Sequence, residues 1–262
     1  MGHKIMSGEM VLTSVDLAIG HGKVRLAEGL AVQLQAGSLT ALLGPNGVGK
    51  STLLNTLAGL QAPLDGQAFV TGSNIHAMPA KERARKIALV STHRPSVALL
   101  TVEALVGLGR HPWTGPWGRF SAADAEAVER AMEQAGVLHL RTRNMEHCSD
   151  GERQKVHIAR ALAQETPLML LDEPTAFLDL PNRAAIVRLL RENALKAGRA
   201  VLFSTHDLQL ALDLCDRLLL LRGKDGVWQG TPQEALRSGE LQRTFAGAGV
   251  QFDAEGTHRF LH

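Results

Sequence analysis

Leu39-Thr40-Ala41-Leu42-Leu43-Gly44-Pro45-Asn46-Gly47-Val48-Gly49-Lys50-Ser51-Thr52-Leu53-Leu54-Asn55-Thr56-Leu57-Ala58 decides the architecture. The apolar run before Gly44 reads as a buried strand, and the residues after Ser51 repeat at helical spacing. Between them, residues 44–51 match G-x-x-x-x-G-K-[ST] in full, in the strand, loop, helix order that a phosphate-binding loop requires. Its glycines let backbone N–H groups curl round phosphate oxygens, a concavity that side chains would obstruct. Gly44, Pro45, Asn46, Gly47, Val48, Gly49, Lys50, Ser51 and Thr52 are the candidate nucleotide contacts. Lys50 is expected to reach the β- and γ-phosphates of a nucleoside triphosphate, and the Ser51 hydroxyl to ligate Mg²⁺.

Downstream, Leu168-Met169-Leu170-Leu171-Asp172-Glu173 is a second apolar strand, ending in two acids. A carboxylate at that strand end is suited to Mg²⁺, which assigns Asp172 to the metal, directly or through water. Glu173 then faces the attack position and is the candidate general base for water. A third strand, Ala200-Val201-Leu202-Phe203, runs into Ser204-Thr205-His206-Asp207. His206 falls at the strand end where open α/β sheets bind ligands. A fourth, Arg217-Leu218-Leu219-Leu220-Leu221, ends at a Gly223-Lys224-Asp225-Gly226 turn, and Thr231-Pro232 begins a capped helix. Apolar strands bounded by helices imply a mostly parallel sheet covered on both faces.

From 95 to 160 the texture changes: strand-like runs vanish, and 122–134 and 152–163 have helical composition. This is the expected helical insert. Pro112, Gly115, Pro116 and Gly118 mark a loop in it that carries Trp113 and Trp117. Near its end stands Cys148-Ser149-Asp150-Gly151-Glu152-Arg153-Gln154. Ser149 as N-cap and Glu152 three residues on form a capping box. Such a helix start offers free N–H groups and a positive dipole end to an anion.

In order and context, the phosphate loop, the Ser149–Glu152 segment, the Asp172-Glu173 strand end and His206 resemble the ATP-binding subunits of ABC transporters over roughly residues 11–232. The resemblance implies an α/β fold: a P-loop NTPase core of mostly parallel sheet, an antiparallel β portion and an inserted helical subdomain. One ABC ATPase domain at 10–236 is expected, with core at 10–92 and 161–236, the helical subdomain at about 93–160, and a short extension at 237–262. It implies that Ser149, Asp150, Gly151 and Glu152 are a signature acting in trans, so that two copies pair head to tail around two ATP molecules. It makes His206 the switch histidine at the γ-phosphate and Phe177-Leu178-Asp179 the D-loop at the dimer interface. The further partners implied are a transmembrane permease and, indirectly, a substrate-binding protein. The expected location is peripheral, on the cytoplasmic face of the inner membrane.

Four positions depart from the family pattern. Asp150 stands where most signatures have glycine and Cys148 where they have leucine; iron-uptake members also read Ser-Asp-Gly-Glu, so Asp150 reads as a subfamily trait. His21 falls where the adenine-stacking aromatic usually lies, in a chain without tyrosine; imidazole stacks more weakly than a larger ring. Thr92 holds the place of the glutamine that senses magnesium and permease. Its shorter hydroxyl would need a bridging water, and His93 is an alternative route for coupling. The run Val106-Gly107-Leu108-Gly109-Arg110-His111-Pro112 resembles the Gly-Arg-x-Pro segment of ATPases serving iron-chelate, haem and vitamin B12 importers. Within that class a ferric-siderophore importer is favoured, with haem or B12 import as the alternative. Trp113 and Trp117 fit two readings, anchors for the permease or packing within the subdomain.

Composition sets limits. A chain of 262 residues, 45% hydrophobic, buries a sizeable core. A net charge of +2 without a basic stripe argues against nucleic acid. Two cysteines make no disulfide framework, and with no secretory leader pattern they fit a reducing cytosol. No apolar run approaches the ~18 residues of a membrane span. His147-Cys148 and His157 match no zinc spacing. The Lys81-Glu82-Arg83-Ala84-Arg85-Lys86 run reads as a solvated helix face. Two other classes compete with the importer ATPase: a soluble ABC ATPase acting on DNA or ribosomes, and a nucleotide-binding regulator with little turnover. The first usually carries long coiled coils or a second cassette, neither of which is present here.

Overall fold

In the computed structural model, residues 8–92, 99–115, 118–176, 178–246, 250–252 and 258–260 are described; His93, Trp117 and Phe177 lie outside them. In chain order the strands and α-helices are β1 (Met10–His21), β2 (Val24–Leu30), β3 (Gln33–Gln35), β4 (Ser38–Leu43), α1 (Lys50–Leu57), β5 (Asp65–Val70), β6 (Ser73–Asn74), α2 (Ala80–Lys86) and β7 (Ile87–Val90). Then come α3 (Val102–Gly107), α4 (Ala122–Gln134), α5 (Asp150–Ala163), β8 (Leu168–Leu171), α6 (Leu180–Ala197), β9 (Ala200–Ser204), α7 (Leu208–Leu214) and β10 (Arg217–Leu221). The chain continues through β11 (Val227–Gly230), α8 (Pro232–Arg237) and α9 (Glu240–Thr244) to a hairpin of β12 (Val250–Phe252) and β13 (His258–Phe260).

Side-chain alternation builds the central layer. Along β4, β8, β9 and β10, successive residues point to opposite faces. Leu43, Leu171, Phe203 and Leu220 enter one apolar cluster with α3 to α6. Leu42, Leu170, Leu202 and Leu221 enter another with α1, β1 and β2. Both faces are therefore dry, which is why these strands read as unbroken apolar runs. The strand order is β11-β10-β4-β9-β8-β7, with every neighbouring pair parallel except β10 with β11. That order sets the C-terminal ends of β4, β9 and β8 side by side. The phosphate loop, Thr205-His206 and Asp172-Glu173 follow directly from those three ends.

The second sheet is antiparallel and runs β2-β1-β5-β6, with β3 also paired to β1. Helix α1 shares the cluster between the layers, where Leu53, Leu54 and Leu57 are buried; each such side chain contributes about 1.5–3 kcal/mol. Among the described residues no helix is long and apolar enough to cross a membrane.

The charged run of α2 is solvated as expected, with no buried residue along the helix, and three of its cations also make hydrogen bonds. Lys81 Nζ donates to the Thr114 carbonyl at 2.8 Å, Arg85 Nε to the Pro112 carbonyl at 3.0 Å, and Lys86 Nζ to Ser73 Oγ at 2.8 Å. The loop after Arg110 folds back over α2 and presents its carbonyls to Lys81 and Arg85, while Lys86 reaches the turn at Ser73. Trp113 joins the same contact. Its Nε1–H donates to the Gln164 carbonyl at 2.8 Å, and the Arg85 and Arg110 guanidiniums lie 5.1 and 5.5 Å from its ring. Trp113 thus packs within its own chain while 38% of it stays exposed.

Candidate functional site

The phosphate loop leaves β4 at Gly44, whose backbone passes so close to Leu221 that a Cβ would lie 2.5 Å from the Leu221 carbonyl oxygen. Only glycine fits there. The loop then turns into α1, whose first residues Lys50, Ser51 and Thr52 line the cavity that they share with Glu173 and His206. Lys50 is buried, and its Nζ donates to the Gly44 and Pro45 carbonyls at 2.9 and 3.1 Å. Burial lowers its pKa from the usual lysine value, while the Glu173 and Asp172 carboxylates oppose that shift.

Asp172 and Glu173 leave the end of β8 in different environments. Asp172 is buried, and its Oδ1 accepts the Ser204 hydroxyl at 2.7 Å. Glu173 has a φ of 48°, a left-handed conformation unusual for a residue with a Cβ. Its backbone N–H donates to Ser204 Oγ at 2.8 Å. Its carboxylate oxygen Oε1 receives the His206 Nε2–H at 2.6 Å. These contacts gather the acids and the histidine beside the loop.

A cavity of about 430 Å³ occupies the space between them, lined by Asn46, Gly47, Gly49, Lys50, Ser51 and Thr52 on one side and Glu173 and His206 on the other. His21 completes the rim and shares a 3.1 Å hydrogen bond with Thr52 Oγ1. Gly44, Pro45 and Val48 belong to the same loop without lining the cavity. Thr92 lies behind it: its hydroxyl donates to the Asp172 carbonyl at 3.2 Å, fastening β7 to the acidic strand end.

The Ser149–Glu152 segment does not line this cavity. It opens α5 with the expected capping box: Ser149 N–H donates to Glu152 Oε2 at 2.7 Å, and Glu152 N–H to Ser149 Oγ at 3.3 Å. The Ser149 N–H holds the Glu152 carboxyl below its usual pKa. Asp150 is 77% exposed and meets Arg153 at 3.4 Å, so its carboxylate is turned to solvent. Cys148 is buried and unpaired to any cysteine; burial pushes its thiol pKa up. Asp179 caps α6 by accepting the Asn182 N–H at 3.0 Å.

One contributor to the site escaped sequence reading. Ser204 bridges the two acids, yet its partners lie 31 and 32 positions away, beyond any local pattern. Arg110 was legible only as part of a motif. In the structure it is a buried tie, from Nε to Asp124 Oδ1 at 2.9 Å and from Nη1 to Glu165 Oε2 and the Ala163 carbonyl, both at 2.7 Å.

Comparisons with known proteins identify the family. The family described as ABC transporter matches residues 27–176. The ferric enterobactin transport ATP-binding protein FepC of Escherichia coli (strain K12) is 38% identical over 234 residues, covering 89% of this chain and 86% of the relative. The hemin import ATP-binding protein HmuV of Streptomyces coelicolor is 38% identical over 238 residues, covering 91% and 84%. Among solved structures, an inward-facing ABC transporter of metal-chelate type superposes with a TM-score of 0.78 at 29% identity, covering 90% of this chain and 89% of that one. A family match over more than half of the chain, together with relatives aligned over nearly all of it, establishes that the chain belongs to the ATP-binding proteins of ABC transporters.

Proposed function

We propose that the chain is the ATP-hydrolysing subunit that energises import of an iron chelate of siderophore type through a membrane permease. Residues 10–236 form the cassette and 237–262 a short extension. The observation that carries the catalytic part is the 2.6 Å contact between His206 Nε2 and Glu173 Oε1 at the wall of the Lys50 cavity. Lys50 is set to exchange its loop carbonyls for the β- and γ-phosphate oxygens of ATP. Glu173, held by His206, orients water against the γ-phosphorus and accepts its proton as the bond to ADP breaks. His206 keeps that carboxylate in place and offers a polar edge to the γ-phosphate. The rim residue His21 offers its ring to adenine.

The donor set suits magnesium: a buried carboxylate of Asp172 and the hydroxyl of Ser51 are the hard oxygen ligands that Mg²⁺ takes alongside phosphate oxygens. These two residues would hold the ion, and the chemistry it supplies is neutralisation of phosphate charge. The signature of Ser149, Asp150, Gly151 and Glu152 lies outside the cavity of its own chain, which supports a role on the nucleotide of a second copy in a head-to-tail dimer. Asp179, exposed at the start of α6, fits the interface of that pair.

The cargo assignment rests on relatives. FepC is named for ferric enterobactin, and the Iron(3+)-hydroxamate import ATP-binding protein FhuC of Bacillus subtilis is 35% identical over 244 residues. HmuV keeps haem import as a second reading. Such a subunit would sit peripherally on the cytoplasmic face of the membrane and meet a substrate-binding protein only through the permease.

Glu173→Gln tests the catalytic assignment. Nucleotide binding should persist, steady-state hydrolysis should fall by about 10²–10⁴-fold, and an ATP-bound dimer should accumulate on gel filtration. An unchanged rate would remove Glu173 from its role.

A further inference from the structure

Behind the cavity, the two carboxylates are joined by a side chain outside every motif assigned above. Ser204 ends β9 and is fully buried. A hydroxyl has one proton to give and two lone pairs. Here the proton goes to Asp172 Oδ1 at 2.7 Å, and a lone pair takes the Glu173 N–H at 2.8 Å. Next along the chain, the Thr205 N–H donates to the Leu42 carbonyl at 3.2 Å, tying this corner to the strand that feeds the phosphate loop.

Each bond of Ser204 restrains something costly. An Asp side chain with one oxygen fixed keeps one rotation about its terminal bond, where an unrestrained carboxylate samples a broad range. Glu173 sits at a positive φ that residues with a Cβ avoid, and such a conformation persists only where its surroundings hold it. Ser204 supplies the backbone restraint and His206 the restraint at the carboxylate. Without Ser204, Glu173 is free to relax and swing its carboxylate off the line of attack.

We propose that Ser204 is a positioning residue for hydrolysis, coupling the metal-holding carboxylate of Asp172 to the water-orienting carboxylate of Glu173 as one rigid unit. This rests on the ATPase reading above, and it deepens it. A buried hydroxyl that merely satisfies its own hydrogen bonds would contribute to stability and nothing more. The two roles separate by measurement.

In Ser204→Ala, kcat should fall about 10–100-fold while KM for ATP stays within about twofold. The Mg²⁺ concentration giving half-maximal binding of trinitrophenyl-ADP should rise about tenfold, with metal-free binding of the same probe unchanged. Ser204→Thr, which keeps the hydroxyl, should restore both values toward those of the unaltered protein. Ser204→Cys fills the same space with a weaker donor and should fall between the two, a readout that survives if the alanine variant is poorly folded. Thermal melting of each variant separates unfolding from mispositioning. A Ser204→Ala protein with the original kcat and Mg²⁺ requirement overturns the proposal, as does a loss in melting temperature with no change in either value. Absence of Mg²⁺-dependent hydrolysis in the unaltered protein would instead overturn the ATPase reading itself.

Discussion

Gly151 is helical, and a Cβ built on it would meet nothing nearer than Leu178 Cδ2 at 3.8 Å, an ordinary contact. Nothing inside the chain demands glycine there. If the demand comes from a phosphate held by a second copy, the cost of adding a methyl separates cleanly from stability. Gly151→Ala should melt at the same temperature or a few degrees higher, since alanine gains up to ~1 kcal/mol over glycine in a helix. Its hydrolysis should nevertheless fall about a hundredfold, the scale of a reacting group displaced by about an ångström. Equal turnover in the two proteins would detach this glycine from the nucleotide. The neighbouring box of Ser149 and Glu152 was legible because its hydrogen bonds close within four residues. Ser204 was not, because parallel strands bring its partners together from 31 and 32 positions away. Asp150 shows the same limit from the other side: the residue is plain in the sequence, but its outward pairing with Arg153 is a property of the helix that carries it.

Helices α4 and α5 are fastened through Arg110, and the Gly-Arg-x-Pro segment acquires a structural reason. A Cβ on Gly109 would lie 2.2 Å from the Arg160 carbonyl oxygen, so only glycine lets this turn reach α5. Arg110 then enters the gap and meets Asp124, which is also the partner of the α4 cap. The Ser121 hydroxyl and N–H, at 2.6 and 3.0 Å, and then Arg110, hold Asp124 down to a pKa of about 2 from 3.8. A carboxylate depressed in the folded state stabilises fully above its unfolded pKa and loses that contribution as pH falls through the folded one. Asp124→Asn should therefore lower the urea midpoint at pH 7, and the gap from the unaltered protein should close as pH drops from about 4 to about 2. A gap independent of pH would mean that the ionised form of Asp124 is not what joins these helices. At this scale legibility followed regularity. The dry strands of the central sheet were readable as apolar runs, and α4 from its helical composition. The antiparallel sheet was expected only through the family resemblance, because β1 changes register between Val15 and Ala18 and Asp16 there has a φ of 47°, which breaks the alternation a strand is recognised by.

For the whole molecule, the geometry sets the cavity apart from the signature segment proposed to act with it. The cavity gathers the phosphate loop, Glu173 and His206, while the start of α5 stands apart from it. A head-to-tail pair would bring the start of α5 in one copy to the cavity of the other, twice, by symmetry. That arrangement makes a test by mixing. On the proposed reading, Lys50→Ala would remove the cation at the phosphates and Gly151→Ala would block the trans contact, so neither protein alone should turn over ATP appreciably. In a mixed pair, one site combines both defects, but the other joins the intact phosphate loop of the Gly151→Ala copy to the intact signature of the Lys50→Ala copy. Random pairing of equal amounts makes half of the dimers mixed, each with one sound site, so about a quarter of all sites are restored. ATP turnover should rise above the sum of the two separate proteins, and should grow with total protein concentration as pairs form. If each cavity instead used the signature of its own chain, every site in the mixture would keep a defect, and mixing would recover nothing.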